Sequence, residues 1–340
     1  MKKVRDSRFE VLRIISIFMI TISHYAIYGN WNNLDNISAI ETTKILILDM
    51  LGPIGAVVFF MITGYFHSYQ KFEVKQQKSF GKTKQVWLKT WCYSVLMLGV
   101  SLLLKVEIST HVIIKTVLPV VMNEYWFITC YIVLSLLVPY IDIVLHNLTK
   151  QQSLKLLIIL MMLMFVQLIN SDIINRLVLT IFAYIVGFCI KKYSDDISLI
   201  KNTRFIYILS ISLFLDVLSI YVSRTVGLSF MHSAHFTQYV LPIVIGSVML
   251  ILTTKAKPFK NRVVNLYATS VLPIYLITEN TAFSHFMWTK LLNVGQYQTS
   301  SFFYAIAIGI TIALCLICST FDIVVSNALK LVYRYITPKK

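Results

Sequence analysis

Apolar runs of membrane-spanning length follow one another along the chain, with only short polar stretches between them. Crossing the hydrocarbon of a bilayer takes about 20 mainly apolar residues in a helix. Candidates lie near residues 11–29, 45–67, 87–104, 125–146, 154–170, 174–190, 205–222, 238–254, 266–288 and 302–326. The fifth and sixth are short enough to tilt or to pack inside a bundle. Residues 112–122 are apolar but too few to span, and Pro119 stands near their end, so they read as an interfacial or re-entrant piece. The pattern predicts an all-α, polytopic membrane bundle of about ten transmembrane helices. The polar gaps leave no room for a soluble domain, so residues 1–340 form a single membrane domain.

Composition agrees: 57% of residues are hydrophobic and 14% charged, and the mean hydropathy is +0.73. A soluble domain carries roughly 25% charged residues. The net charge of +16 raises nucleic acid as a partner until the positions of the basic residues are considered. With residue 1 inside, 25 of the 31 Lys and Arg fall on cytoplasmic segments and 6 on outer ones. That asymmetry follows the positive-inside rule through every loop and places both termini in the cytoplasm. The charge is therefore a topology signal. Anionic membrane lipids are its secondary partner and nucleic acid is not one. The five cysteines all fall in apolar runs, where they act as small hydrophobes rather than a disulfide framework. The N-terminal run lacks a small-residue cleavage pattern and reads as a retained helix.

An ionisable group inside a bilayer is costly, which makes each one a candidate for function. The first helix holds the clearest set. Glu10 and Arg13 stand three residues apart at its inner end, within pairing distance. His24 follows eleven residues after Arg13; at about 100° and 1.5 Å per residue the two share a face, some 16 Å apart in depth. That arrangement suits an anionic cytosolic donor, held at the mouth by charge-assisted hydrogen bonds, with an imidazole deeper in to take a proton. The plainer alternative is that Arg13 reaches for headgroups and His24 bonds a neighbouring helix.

The stretch Arg8-Phe9-Glu10-Val11-Leu12-Arg13-Ile14-Ile15-Ser16, with Ser23-His24-Tyr25 after it, resembles the opening helix of acyltransferase family 3, in which a basic residue and a His are separated by ten positions. In the second run, Gly52-Pro53-Ile54-Gly55, Phe59-Phe60 and Thr63-Gly64-Tyr65 are similar to that family's glycine, Phe-Phe and Ser-Gly-Tyr pattern. Tyr125-Trp126-Phe127 and Pro273-Ile274-Tyr275-Leu276-Ile277 add to the likeness. Many relatives have His where this chain has Thr278, which bears on any acid–base role for the ninth run.

The resemblance implies transfer of an acyl group, most often acetyl, from cytosolic acyl-CoA to a hydroxyl of a surface polysaccharide or a lipid-linked glycan precursor, in a bacterial plasma membrane. On that reading Arg13, helped by Lys82, Lys84 or Lys89, binds the CoA phosphates. His24 acts as general base or as acyl carrier, and Gly64, Tyr65 and Trp126 line the site with Glu10. Glu279 and Asp216 are charges inside apolar runs that could orient His24 or bind the acceptor. Asp49 stands near an outer end, and Asp142 and Asp322 near inner ends, where hydration or a Lys partner explains them. Glu124 borders the outer side and could meet sugar. Cys315-x-x-Cys318 lies inside an apolar run without a second pair and reads as packing, and His232 and His235 read as loop residues, so no metal is expected. A glycan flippase or transporter, or a glycan polymerase, is the competing reading; transporters often show paired repeats, and no such symmetry is visible here.

Overall fold

The computed structural model describes residues 5–31, 39–66, 72–165, 172–226 and 239–336. Among them every regular element is helical, with no strand. In chain order the helices are α1 (Ser7–Tyr28), α2 (Ala39–Asp49), α3 (Leu51–Tyr65), α4 (Phe72–Leu103), α5 (Thr110–Val117), α6 (Trp126–Asn147), α7 (Lys150–Phe165) and α8 (Asp172–Lys192). There follow a one-turn α9 (Ser194–Ser198), α10 (Asn202–Val226), α11 (Leu241–Lys255), α12 (Arg262–Tyr267), α13 (Val271–Glu279), a short α14 (Ser284–Phe286) and α15 (Phe303–Ile336).

Seven stretches are long and apolar enough to cross a membrane: Ser7–Tyr28, Ile40–Tyr65, Phe72–Leu103, Trp126–Asn147, Ile174–Lys192, Asn202–Val226 and Phe303–Asn327. The other three of the ten expected spans fall short among the described residues. Helix α7 has 16 residues and α11 has 15. The run at 266–288 is not one helix: a 3₁₀ turn (Ala268–Ser270) leads into α13, which stops at Glu279. The apolar piece after residue 109 is the eight-residue α5, which packs on α4, where Ser94 Oγ donates to the carbonyl of Thr116 at 2.7 Å.

Local chemistry explains several of these ends. Asp6 caps α1 by accepting from the Arg8 amide at 3.1 Å, and Asn261 caps α12 through the amides of Val263 and Val264. The run at 45–67 is split at Met50 into α2 and α3. Pro53 lies four residues after Asp49, so it offers no N–H to that carbonyl and its ring crowds it.

Two glycine contacts bring the central helices together. On α3, a Cβ at Gly55 would press on the Ser16 carbonyl of α1, and one at Gly52 on the Ser23 hydroxyl. On its other flank, a Cβ at Gly64 would collide with the Tyr184 carbonyl of α8, and one at Gly187 with the Met61 carbonyl of α3. Gly64 was expected to line the site; its role is this backbone-to-backbone crossing. Tyr65 likewise packs elsewhere, stacked on Phe9 with ring centroids 5.1 Å apart and covered by Lys191 at 5.2 Å. Helices α1, α3 and α8 form the buried centre, while α10 and α15 turn most of their surface outward.

Two carboxylates buried near helix ends meet partners. Asp142 accepts from Tyr184 at 2.7 Å and pairs with Lys75. Asp322 accepts from Tyr93 at 2.6 Å and Ser270 at 2.7 Å, with Lys89 3.3 Å away. Asp216 on α10 is fully buried, and neither carboxylate oxygen has a hydrogen-bond partner among the described residues. His232 and His235 lie outside the described residues.

The crossing makes a testable demand. Gly64→Val or Gly187→Val should destabilise the full chain by about 1–3 kcal/mol through overpacking, read as a lower unfolding temperature of the purified protein. Gly81→Ala and Gly99→Ala, whose added Cβ meets nothing within 4 Å, should leave it unchanged or raise it. Equal effects in all four would show that the α3–α8 contact does not limit stability.

Candidate active site

Three cavities follow one another along the inward face of α1. The one at the start of α1, about 650 Å³, is lined by Arg5, Asp6, Glu10, Arg13, Lys82 and Lys89 among others. The next, about 250 Å³, is mostly apolar, with Ile17, Phe59 and Ile128 in its wall and Arg13 and Lys82 at one end. The last, about 120 Å³, contains His24, Glu279, Asp49, Trp126 and Arg176 in its lining. Arg13, Lys82, Val86, Val271 and Leu272 border both the first and the second. Ile20, Phe127 and Tyr275 border both the second and the third. Arg13 and His24 thus face one series of spaces, as their eleven-residue separation on a helix requires.

The mouth is basic, and its carboxylates are already engaged. Asp6 is clamped by the Arg8 guanidinium at 2.7 and 3.1 Å, which holds its carboxyl below the usual carboxylate range. Arg8 itself turns away to the carbonyls of Thr254 and Ala256. Glu10 accepts from Arg13 at 2.6 Å through Oε1, while its buried Oε2 has no partner among the described residues. Lys82 lies 5.5 Å from the Tyr131 ring centroid. Lys82, Val86 and Lys89 come from one face of α4, four and three residues apart. Lys84, expected beside them, is about 200° round the helix from Lys82; it is exposed and lines none of the three cavities.

At the far end the His24 imidazole is buried and held at both nitrogens. Nδ1 is 3.0 Å from Thr278 Oγ1. The Thr278 hydroxyl donates back to the Ile274 carbonyl at 2.9 Å, so towards His24 it accepts and Nδ1 carries a proton. Nε2 is 2.8 Å from Glu279 Oε2. A bare ring nitrogen and a carboxylate oxygen would repel at that distance, so a second proton lies between them. The Tyr28 ring stands edge-on to the imidazole, with centroids 5.8 Å apart. The arrangement is a buried acid–base pair whose proton moves over a short distance.

Helix α13, which carries Thr278 and Glu279 to His24, stops at Glu279. Asn280 Oδ1 accepts from the Ala282 amide at 3.1 Å, and its Nδ2 donates to Tyr125 Oη at 2.8 Å. Glu124 Oε1 accepts from the amide and hydroxyl of Thr281 at 2.7 and 2.8 Å, with Lys115 3.3 Å away. Glu124 therefore fixes the break. Trp288 donates to the Thr278 carbonyl at 3.3 Å.

Sequence reasoning singled out His24, Glu279, Arg13, Glu10, Lys82 and Trp126, and each of them lines one of these cavities. It passed over Thr278, which looked like a departure but holds Nδ1. It also missed Tyr275, Phe127 and Arg176. Only the position of Arg176, a charge in the first turns of α8, was a usable signal. Asp216 lines none of the three, and Cys315 and Cys318 are free thiols in a packed helix.

Similarity to known proteins bears on what this pair does. The model of acyltransferase family 3, described as an acyltransferase domain, matches residues 6–320. Neither a curated protein nor a solved structure matches the chain.

The hydrogen-bond assignment can be checked by nitrogen-15 NMR of histidine-labelled protein, with the His24 signals identified by their loss in His24→Gln. Thr278→Val keeps the side-chain shape and removes the hydroxyl, so the Nδ1–H form should give way to Nε2–H. Thr278→Ser should leave the spectrum as it is. Unchanged Nδ1–H signals in Thr278→Val would exclude the contact.

Proposed function

Because the chain belongs to acyltransferase family 3, and is thus a membrane acyltransferase, we propose that it transfers an acyl group, acetyl first among them, from cytosolic acyl-CoA to a hydroxyl of a cell-surface polysaccharide or lipid-linked glycan precursor. The chain would sit as a multi-pass protein in a bacterial plasma membrane, crossing about ten times with both termini inside. The shorter α7, α11 and interrupted α13 would complete the crossings that the seven long stretches begin.

One observation carries this reading: a basic mouth, an apolar passage and a buried His–Glu pair lie in sequence along α1, each sharing wall residues with the next. The residues fit acyl-CoA. Arg13, Lys82 and Lys89 would meet the phosphates of the donor, which supplies an activated thioester, and the apolar second cavity suits a narrow, mostly uncharged arm. Glu10 holds the Arg13 guanidinium in place at 2.6 Å. Glu279 would take the proton of the attacking acceptor hydroxyl on its second carboxylate oxygen, and the proton held between Oε2 and His24 Nε2 would pass to the leaving thiolate, which leaves the pair again with one proton to share. Thr278 keeps the ring in the orientation that leaves Nε2 facing the carboxylate. With both ring nitrogens engaged, His24 is better disposed to move protons than to carry the acyl group, which would first have to displace Glu279.

Membranes or purified full chain incubated with labelled acetyl-CoA should transfer label to surface glycan. His24→Ala and Glu279→Gln should each lower kcat by about 10²–10⁴-fold, the range for a positioned acid–base group. Arg13→Ala should mainly raise KM for acetyl-CoA, by about 10–100-fold for a lost charge-assisted hydrogen bond. Glycan labelling retained in both His24→Ala and Arg13→Ala would overturn the proposal.

A further inference from the structure

We infer that Tyr275 is a catalytic residue: its hydroxyl, with the Phe127 N–H at the start of α6 beside it, holds the oxyanion that forms on the acyl carbonyl during transfer. The inference rests on the transfer reading above and names the groups that stabilise the developing charge, which that reading leaves open.

A donor reaching through the apolar passage meets an acceptor in the His24–Glu279 cavity where the two spaces join, so the acyl carbon reacts at that junction. Three residues border both spaces: Ile20, Phe127 and Tyr275. Tyr275 alone among them has a side-chain hydrogen-bond donor. It stands one turn before Glu279 on α13, and its ring centroid is 5.9 Å from that of His24. The residue is only 4% exposed. Buried hydroxyls find an acceptor as a rule, and its neighbours do: Tyr125 donates to the Leu276 carbonyl at 3.3 Å and Thr278 to the Ile274 carbonyl at 2.9 Å. Tyr275 Oη has no hydrogen-bond partner among the described residues.

The backbone supplies a second donor. Phe127 is the second residue of α6, so its N–H has no partner within the helix. The cap residue, Tyr125, makes no side-chain bond to that first turn, and Glu124 just before it is turned to Thr281. The Phe127 N–H faces the Tyr275 phenol, and the two rings pack with centroids 5.5 Å apart. A phenol hydrogen, an amide hydrogen and the positive end of a 22-residue helix therefore meet at the junction. Donors fixed in a place shut off from water stabilise charge that appears only in the transition state.

In the transfer the acceptor oxygen bonds to the acyl carbon, and the carbonyl π electrons move onto the carbonyl oxygen. That oxygen accepts hydrogen bonds from Tyr275 Oη and the Phe127 N–H. When the C=O bond re-forms, the carbon–sulfur bond breaks and the thiolate leaves with its electron pair. Tyr275 keeps its proton throughout and forms no bond to the acyl group.

The test uses purified full chain in lipid nanodiscs, labelled acetyl-CoA, and glycan from the surface of cells that carry the protein. Tyr275→Phe keeps the ring and removes the donor. It should lower kcat by about 10²–10³-fold, the usual loss for one oxyanion donor, with half-saturation by acetyl-CoA within about threefold of the wild type. The His24 nitrogen-15 signals should stay as they are. Two unreactive donor analogues separate charge stabilisation from packing: the trifluoromethyl ketone analogue of acetyl-CoA adds a hydroxyl to become a tetrahedral alkoxide, and the methyl ketone analogue stays planar. Tyr275→Phe should weaken binding of the first about 100-fold and of the second less than about threefold, as expected of a group that acts on the transition state alone. A variant with wild-type kcat, or one that weakens both analogues equally, overturns the role of Tyr275 while leaving acyl transfer standing. Label recovered on Tyr275 itself does the same. A wild type that labels no glycan overturns the transfer reading, and this inference with it.

Discussion

The contact between His24 Nε2 and Glu279 Oε2, 2.8 Å long and largely shut off from solvent, joins two ionisable groups that have both left water. In a medium of low dielectric an unpaired carboxylate or imidazolium is expensive, and a pair that shares one proton is not. Much of the surrounding structure serves to bring these two atoms together. Here α13 ends at Glu279, and the chain turns under the control of Asn280, Tyr125 and Glu124. Non-helical backbone at membrane depth is tolerated only where other groups take up its polar atoms, and those three side chains do so.

The opposite wall is built by close approach rather than by hydrogen bonding. Gly52 and Gly55 seat α3 on α1, and Gly64 and Gly187 seat it on α8. In a bilayer, helices gain little from hydrophobic burial against each other, so such small-residue contacts supply much of the packing energy. The result is that His24, Asp49, Trp126 and Arg176 are all carried on helices, which hold side chains more tightly than loops do. The polar fastenings of Asp142 to Tyr184 and of Asp322 to Tyr93 and Ser270 fix the helices lengthwise while leaving the mouth lined with cations.

What the sequence revealed and what it concealed divide along a physical line. The spacing of Arg13 and His24 was legible because helix geometry is nearly invariant, and seven helical stretches of membrane-crossing length were legible because length and apolarity are local properties. The break after Glu279 was not, since Tyr125 and Glu124, which stabilise it, come from a distant part of the chain and leave no trace in local hydropathy. The same holds for Gly64: its partner is the Tyr184 carbonyl, and nothing near Gly64 in the chain distinguishes a crossing glycine from one that lines a pocket. Thr278 shows the reverse error. Set against a pattern that has His there, it looked like a loss, whereas a hydroxyl that donates to its own helix presents the lone pair that His24 Nδ1 needs. Lys84 fell beside Lys82 in sequence and away from it in space, the ordinary consequence of 100° per residue.

The division between the second and third cavities bears on a problem any such transfer must solve. Water is a competing hydroxyl, abundant at the inner mouth, and an acid–base pair that activates an acceptor would activate water as readily. Ile20, Phe127 and Tyr275 stand between the apolar passage and the His24–Glu279 cavity, and Phe127 packs against Tyr275 at 5.5 Å and against Phe60 at 4.7 Å. On the proposed reading, a donor threaded from the inside fills this aromatic neck as it arrives, so the cytosolic side supplies the acyl group but not its solvent. Protection against hydrolysis then comes from the order of the cavities along α1, and the pair itself needs no means of telling one hydroxyl from another. That task falls to the groups on the outer side, where the lining changes from aliphatic and aromatic to charged.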